Sequence, residues 1–233
     1  MMRLNSYFAL LIPTLALLSI CGIAGATEYE VVPEESVFAA VVHKGGMAAR
    51  FAHNHFIAPS KYDAKLSLEG DDVTKTTFAI SFAVNDLAPD EDGPRAKWFP
   101  RLQETEVLTE AFSPLKDNDR AIIKEHMLAA NQLDAVAYPE IKAELVDIAP
   151  KASAWGKHEF AYAATLRVTI HGKTVERGFA TDLTLKDGVL HVEGVARFEF
   201  TELGITPYSA FFGSVKNKNA FEIYVNLTAK PKG

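Results

Sequence analysis

The sequence predicts an all-β fold: a single antiparallel, lipocalin-like β-barrel of about eight strands with one short helix. Three observations carry that expectation. Apolar and polar residues alternate with period two along most of the chain, turn residues separate the alternating runs, and one stretch has helical spacing. The 233 residues are 48% hydrophobic, 23% charged and 10% aromatic, which are globular proportions. There is no repeat at a solenoid period and no Gly/Ser linker, so one domain is expected.

The first residues belong to a different class. Arg3 precedes an almost wholly apolar run from Tyr7 to Ile23, and the small-x-small site Ala24-Gly25-Ala26 leads into Thr27-Glu28. That order is a secretory signal peptide over 1–26, with the barrel domain over 27–233. Pro13 inside the run argues against a permanent anchor. A lipidated Cys21 is the weaker alternative, because bulky Ile20 stands where a small residue is wanted. Cleavage near Ala26 removes the only cysteine. The expected product is a periplasmic protein held together by its core and not by disulfides. The formal net charge of -6 becomes more negative once Arg3 is lost, which argues against nucleic acid as a partner.

The strands follow in order. Ser36 to His43 opens the series, and Tyr62, Ala64, Leu66 and Leu68 face one way before the turn at Gly70-Asp71-Asp72. Thr76, Phe78, Ile80, Phe82 and Val84 form the next apolar face. Ile141 to Ile148, then Tyr162 to Ile170 ending at Gly172-Lys173, continue the rhythm. The run from Val175 to Leu185 ends at Asp187-Gly188, a hairpin signal. Leu190, Val192, Gly194, Ala196, Phe198 and Phe200 then alternate with His191, Glu193, Arg197 and Glu199, and Phe221 to Leu227 closes the set. One apolar and one wet face per strand is the mark of an antiparallel sheet. Between them, residues 87–135 break the pattern. Leu87 to Pro114 is rich in Pro, Asp and Glu and reads as an irregular excursion. Ala121 to Ala135 has helical spacing, with Asp117, Asn118 or Asp119 as its cap and Pro139 beyond its end. Small inward residues such as Ala64, Ala143, Ala164 and Ala196 beside aromatics suit either an open cavity or the taper of a filled barrel.

Several segments resemble one family. Ile122 to Leu128, Leu133-Asp134-Ala135 and Tyr138-Pro139-Glu140-Ile141 look like its helix and following strand. Ala164 to Thr174, and Phe198 to Ser209 with Leu203-Gly204-Ile205, look like its later strand, turn and loop. In order and spacing, from Tyr29 to Ala229, the chain resembles the YceI-like lipid-binding proteins of the bacterial periplasm. The resemblance implies a lipocalin-like barrel with an elongated apolar cavity that binds a long-chain polyisoprenoid or a related amphiphilic lipid and does not catalyse. The chain departs from the common pattern after His43-Lys44-Gly45-Gly46, where Arg50-Phe51-Ala52-His53-Asn54-His55 follows; this puts the ligand's identity in question.

Candidate ligand contacts follow from these readings. Phe38, Phe78, Phe82, Phe198 and Phe200 are expected to line an apolar tube, with Met127 as an adaptable wall and Ala164 and Ala196 as small positions that leave room. Arg50, Phe51, His53 and His55 are expected at a polar mouth. At i and i+2 on a strand, His53 and His55 would share a face, and a third ligand such as His43 or Glu104 would make a metal site; a polar mouth or plain surface imidazoles are the other readings. No cofactor is expected: nucleophile elbow, Walker loop, dinucleotide fingerprint and haem motif are all missing from the sequence. A filled barrel serving as a stress-response interaction module is the competing class, and the sequence leaves a homodimer open.

Overall fold

The computed structural model describes residues 25–233, so the expected signal peptide lies outside the described residues except for its last two. The strands are β1 (Ala26–Val31), β2 (Val37–Gly45), β3 (His55–Pro59), β4 (Asp63–Glu69), β5 (Thr76–Ala83), β6 (Leu87–Pro89), β7 (Glu140–Trp155), β8 (His158–Ile170), β9 (Lys173–Lys186), β10 (Val189–Glu199), β11 (Ser209–Ala210) and β12 (Val215–Pro231). Two helices, α1 (Asp92–Glu104) and α2 (Asp117–Leu128), lie between β6 and β7.

Eight strands close a ring in the order β1-β4-β5-β7-β8-β9-β10-β12, and β12 returns to β1. All pairings are antiparallel, so the predicted fold class holds. β2, β3 and β6 lie off the ring as a flap that extends from β12. In sequence β2 follows β1, β3 precedes β4 and β6 follows β5, so the flap continues three neighbouring ring strands past short breaks. The breaks are tied down by hydrogen bonds. The Thr228 N–H donates to Ser36 Oγ at 3.1 Å, and the Ser60 N–H donates to the Asp86 carbonyl at 2.9 Å. This differs from the single run expected at Ser36 to His43: the first ring strand is β1, and the expected run became the flap strand that leaves it.

The ring encloses one apolar core. Alternation places Leu66, Leu68, Leu190 and Leu227 inside, together with Phe38, Phe179 and Phe221. The second face of several strands is not wet, contrary to expectation. Val37, Ala39 and Val41 of β2, Phe56 of β3, Phe160 of β8, Val195 of β10 and Tyr224 of β12 form a separate outer core. Residues 92–112 cover it with Trp98, Phe99, Leu102, Leu108 and Phe112.

This is where the expected irregular excursion goes, and it contains a helix that the sequence reading missed. Pro94 sits in the first turn of α1, where its missing N–H costs nothing, but Pro100 lies inside. α1 persists because Leu102 is buried on the sheet and Trp98 and Phe99 are half-buried against it, which outweighs local propensity. The predicted helix at Ala121 to Ala135 is present but begins and ends earlier, as α2.

The outer layer also buries charge. Glu193 accepts hydrogen bonds from the Tyr224 hydroxyl at 2.6 Å and Arg101 Nε at 2.8 Å. Burial alone would push its carboxyl up, but the bonds from Arg101 and Tyr224 outweigh that and hold it below the usual carboxylate range. Burial, and then the bond to Glu193, push the Tyr224 hydroxyl well above the ordinary phenol range. Glu193→Ala is therefore expected to cost about 2 kcal/mol or more in urea unfolding at neutral pH, because it leaves Arg101 of α1 and Tyr224 of β12 without their acceptor. The stability that Glu193 contributes is present above its unfolded value of 4.5 and disappears as acid takes the pH down through the lowered folded value. A loss below about 0.5 kcal/mol would show that solvent reaches this network.

Candidate functional site

Half of the barrel interior is filled and half is open. Tyr29, Leu66, Leu68 and Leu190 pack the end where β1 meets β4. Toward the other end lies an apolar cavity of about 220 Å³. The flap and the ring both contribute to its wall: Phe38 and Val42 from β2, Ile57 from β3, Phe78 and Phe82 from β5, and Phe221 and Ile223 from β12. Phe38 stacks on Phe78 with ring centroids 6.0 Å apart and meets Tyr62 edge-on at 5.1 Å, so the aromatic wall is held by its own contacts.

α2 and the turns after it cover this end. Ile123 and Met127 line the cavity, and Leu133 follows from the next turn. The cover is latched at two points. His126 stacks on Tyr208 at 5.3 Å, and Gln132 Nε2 donates to the Thr206 carbonyl at 3.0 Å. The polar side chains on the cavity wall are His55, His126, Gln132, Tyr208 and Asn217. They gather where β2 ends and β12 begins: His55 pairs with Val42, Asn217 pairs with Lys44, and the Asn217 N–H donates to the Tyr208 carbonyl at 2.9 Å. The cavity is thus amphiphilic along its length, with an apolar tube and a polar mouth.

His55 is the most firmly built of the mouth groups. Its Nδ1 lies 2.7 Å from Asp90 Oδ2, and the other oxygen of that fully buried carboxylate accepts the Phe56 N–H at 2.9 Å. The guanidinium of Arg95 stands 3.7 Å behind it. Asp90 adopts a left-handed backbone, φ 58°, and its N–H donates to the Phe56 carbonyl at 2.7 Å, which locks the carboxylate against β3. With Nδ1 committed to Asp90, Nε2 is the ring nitrogen left for a ligand. Asp90 and Arg95 were not among the sequence candidates; both fall in the stretch from Leu87 to Pro114 that reads as an irregular excursion, and only the fold brings Asp90 under His55.

Of the sequence candidates, Phe38, His55, Phe78, Phe82, Met127 and Phe200 line the cavity. Ala164, Ala196 and Phe198 face the same interior but are packed within the core and not on the cavity wall. Arg50 and Phe51 form a short turn of helix beyond the end of β2 and are exposed, the guanidinium 4.6 Å over the ring centroid. His53 precedes β3 and its Nδ1 is buried without a partner. Burial, and then the neighbouring His55, hold its imidazole below the ordinary histidine range.

The metal alternative is not supported by the geometry: among the described residues, His53 and His55 belong to no group of three or more His, Cys, Asp or Glu whose ligand atoms converge on one point. The group of that kind that does form, His158, Asp182 and Glu193, includes a carboxylate already bound by Arg101 and Tyr224.

Comparison with solved structures places this architecture. BcnA from Burkholderia cenocepacia superposes with a TM-score of 0.58 at 15% identity, over 86% of this chain and 100% of that one. The two share a fold. The closed eight-stranded barrel found here is also the fold that the YceI-like resemblance of the sequence implied. A Campylobacter jejuni YceI protein aligns more loosely, with a TM-score of 0.40 and 9% identity over 73% of this chain and 83% of that one. No family model matches the sequence, and no curated protein does.

Substitution by tryptophan separates the filled and open halves. Ala164→Trp and Ala196→Trp are expected to lose about 1–3 kcal/mol in urea unfolding by overpacking, whereas Ala40→Trp, on the cavity wall, is expected to lose less and to fill the space instead. Equal losses in all three would mean that the open half is not open in solution. Because the His53 pKa is lowered in the fold, the unfolded chain takes up its proton first. Stability is expected to fall as pH drops below 6.5 toward the lowered folded value, and His53→Gln is expected to flatten that part of a thermal-midpoint profile.

Proposed function

We propose that this protein is an exported, periplasmic binding protein that carries the apolar chain of an amphiphilic lipid, an isoprenoid or a related long-chain compound, inside its barrel. One observation carries the proposal: a cavity walled by aromatic and aliphatic side chains whose polar groups collect at one mouth. The YceI-like resemblance of the sequence supports the same reading. The chain would lie among Phe38, Phe78, Phe82 and Met127, and the head group would meet His55, His126 and Tyr208. Binding rather than hydrolysis fits the wall, which carries no serine, threonine or cysteine hydroxyl or thiol beside His55.

The size of the cavity bounds the ligand. At about 220 Å³ it is smaller than the roughly 300–1,000 Å³ common for ligand pockets, so the described form encloses part of a long chain. A longer chain would extend through the mouth or displace α2.

Native mass spectrometry of the protein purified after export, without detergent, is expected to show a bound organic-extractable lipid. Protein that is repeatedly folded and empty would falsify the proposal. In a homologous series of alkyl amphiphiles, each added methylene is expected to tighten binding by at most about fourfold, from about 0.8 kcal/mol per buried CH2, up to the length that fills the tube. Beyond it the gain should flatten. An affinity indifferent to chain length from the start would place the ligand outside the barrel.

A further inference from the structure

We infer that the tip of the barrel formed by residues 46–52 and 209–214 docks onto the surface of an anionic lipid bilayer. Four large apolar side chains stand out there: Phe212 is 112% exposed, Met47 95%, Phe211 77% and Phe51 67%. They belong to two loops that form one structure. The Ala48 N–H donates to the Ser214 carbonyl at 2.8 Å, and Gly46, at φ 91°, lies so close to that carbonyl that no side chain would fit between them.

The exposure is built and not incidental. Phe211 and Phe212 both adopt left-handed backbone, at φ 50° and 54°, a conformation that bulky residues avoid. The backbone around them is fixed by the Ala210–Val215 strand pair and by the Ala48 N–H bond to Ser214, and strain of this kind collects where a surface has work to do. Glycine or asparagine would make this turn at less cost, yet Phe211 and Phe212 occupy it and are exposed.

The charge around the tip identifies the partner. Within residues 44–55 and 203–221 there is no aspartate or glutamate, while Lys44, Arg50, Lys216 and Lys218 are all present, in a chain of net charge -6. Lys44 pairs with Glu110 at 2.6 Å. Arg50, Lys216 and Lys218 are exposed and, among the described residues, have no carboxylate within salt-bridge distance. Exposed aromatic and methionine side chains ringed by unpaired cations match an interface of acyl chains beneath anionic head groups. A second copy of this chain would bring the same cations against themselves.

The position of the tip gives the contact a use, and here the inference rests on the carrier reading. Gly45 pairs with Lys216 and Lys44 with Asn217, and Tyr208 on the cavity wall directly precedes Ser209, so the tip adjoins the wall. A bilayer held at the tip faces the polar mouth, and a lipid could pass between membrane and barrel with little of its chain exposed to water.

Flotation with vesicles tests this, using protein purified after export from the full-length gene. Binding is expected to phosphatidylcholine vesicles that contain phosphatidylglycerol, with weaker binding to phosphatidylcholine alone and release by salt. The double substitution F211S/F212S is expected to weaken binding on the order of tenfold or more with no loss of thermal stability. R50Q/K216Q is expected to abolish the preference for the anionic lipid. In F212W, emission is expected to be quenched by brominated acyl chains. Flotation of F211S/F212S equal to the unmodified protein, or unquenched F212W, overturns the inference, as does a dimer lost in F211S/F212S with vesicle binding unchanged. Lipid retention, read by mass spectrometry on the same variants, is expected to persist because none of the four tip residues lines the cavity. Retained lipid without vesicle binding defeats the tip and leaves the carrier; vesicle binding without retained lipid defeats the carrier and leaves the tip.

Discussion

Closure of the barrel depends on the length of β12. Its seventeen residues pair with β10 along one edge, and along the other edge first with β2 and then with β1. Closure itself is brief, three residue pairs from Tyr29↔Pro231 to Val31↔Ala229. Without those pairs β1 and β12 would each present an open edge, and the interior would be reached by water from the side. With them, every ring strand has two neighbours, and no ring strand keeps an open edge along the paired stretch. A shorter last strand could have met β1 or β2 but not both, and the flap and the ring would have separated.

The breaks near residues 32–36, 60–62 and 84–86 are what turn this closure into a site. Below them the ring is narrow and filled by leucines. Above them β2, β3 and β6 follow their own path, and the space between flap and ring becomes the cavity beneath α2. The flap is a stiff wall because both of its faces are buried. Phe38, Ala40 and Val42 look into the cavity, while Val37, Ala39 and Val41 are buried under α1. Asp90, at the end of β6 and against β3, can therefore hold His55 in place without help from the loop that precedes it.

Much of the barrel was legible because period-two patterning is local: a strand announces its two faces in a handful of residues. The outer core was less so. Val37-Phe38-Ala39-Ala40-Val41-Val42 is a continuous apolar run, and such runs mark strands buried on both sides, so the signal was present. α1 left almost none, since its prolines and charged residues argue for a loop and the packing of Trp98, Phe99 and Leu102 matters only against a sheet that is distant in sequence. In the site, the inward aromatics of β2 and β5 could be read from alternation, but the boundary between cavity wall and packed core could not. Ala164 and Ala40 have the same pattern; which one meets empty space depends on where three strands break. The mouth was half legible. His55 stood out as a histidine on a strand, whereas Asp90, His126 and Tyr208 reach it from elements far apart in sequence and joined by tertiary contacts.

An open cavity also explains why the outer layer exists. Removing packing from a core costs about 24 cal/mol per Å³, so leaving about 220 Å³ unfilled forgoes at most about 5 kcal/mol. That is comparable to the whole net stability of many domains. A plain eight-stranded barrel with half its interior empty would have little margin. The excursion between β6 and β7 supplies a second core on the outer face, with Trp98, Phe99, Leu102 and Phe112 burying surface that an uncovered barrel leaves wet. Stability and binding are thereby carried by opposite faces of the same strands. The inner face can stay open for a ligand because the outer face is closed by the protein itself, and a lipid that fills the tube would restore part of the missing packing and stabilise the fold in proportion to its occupancy.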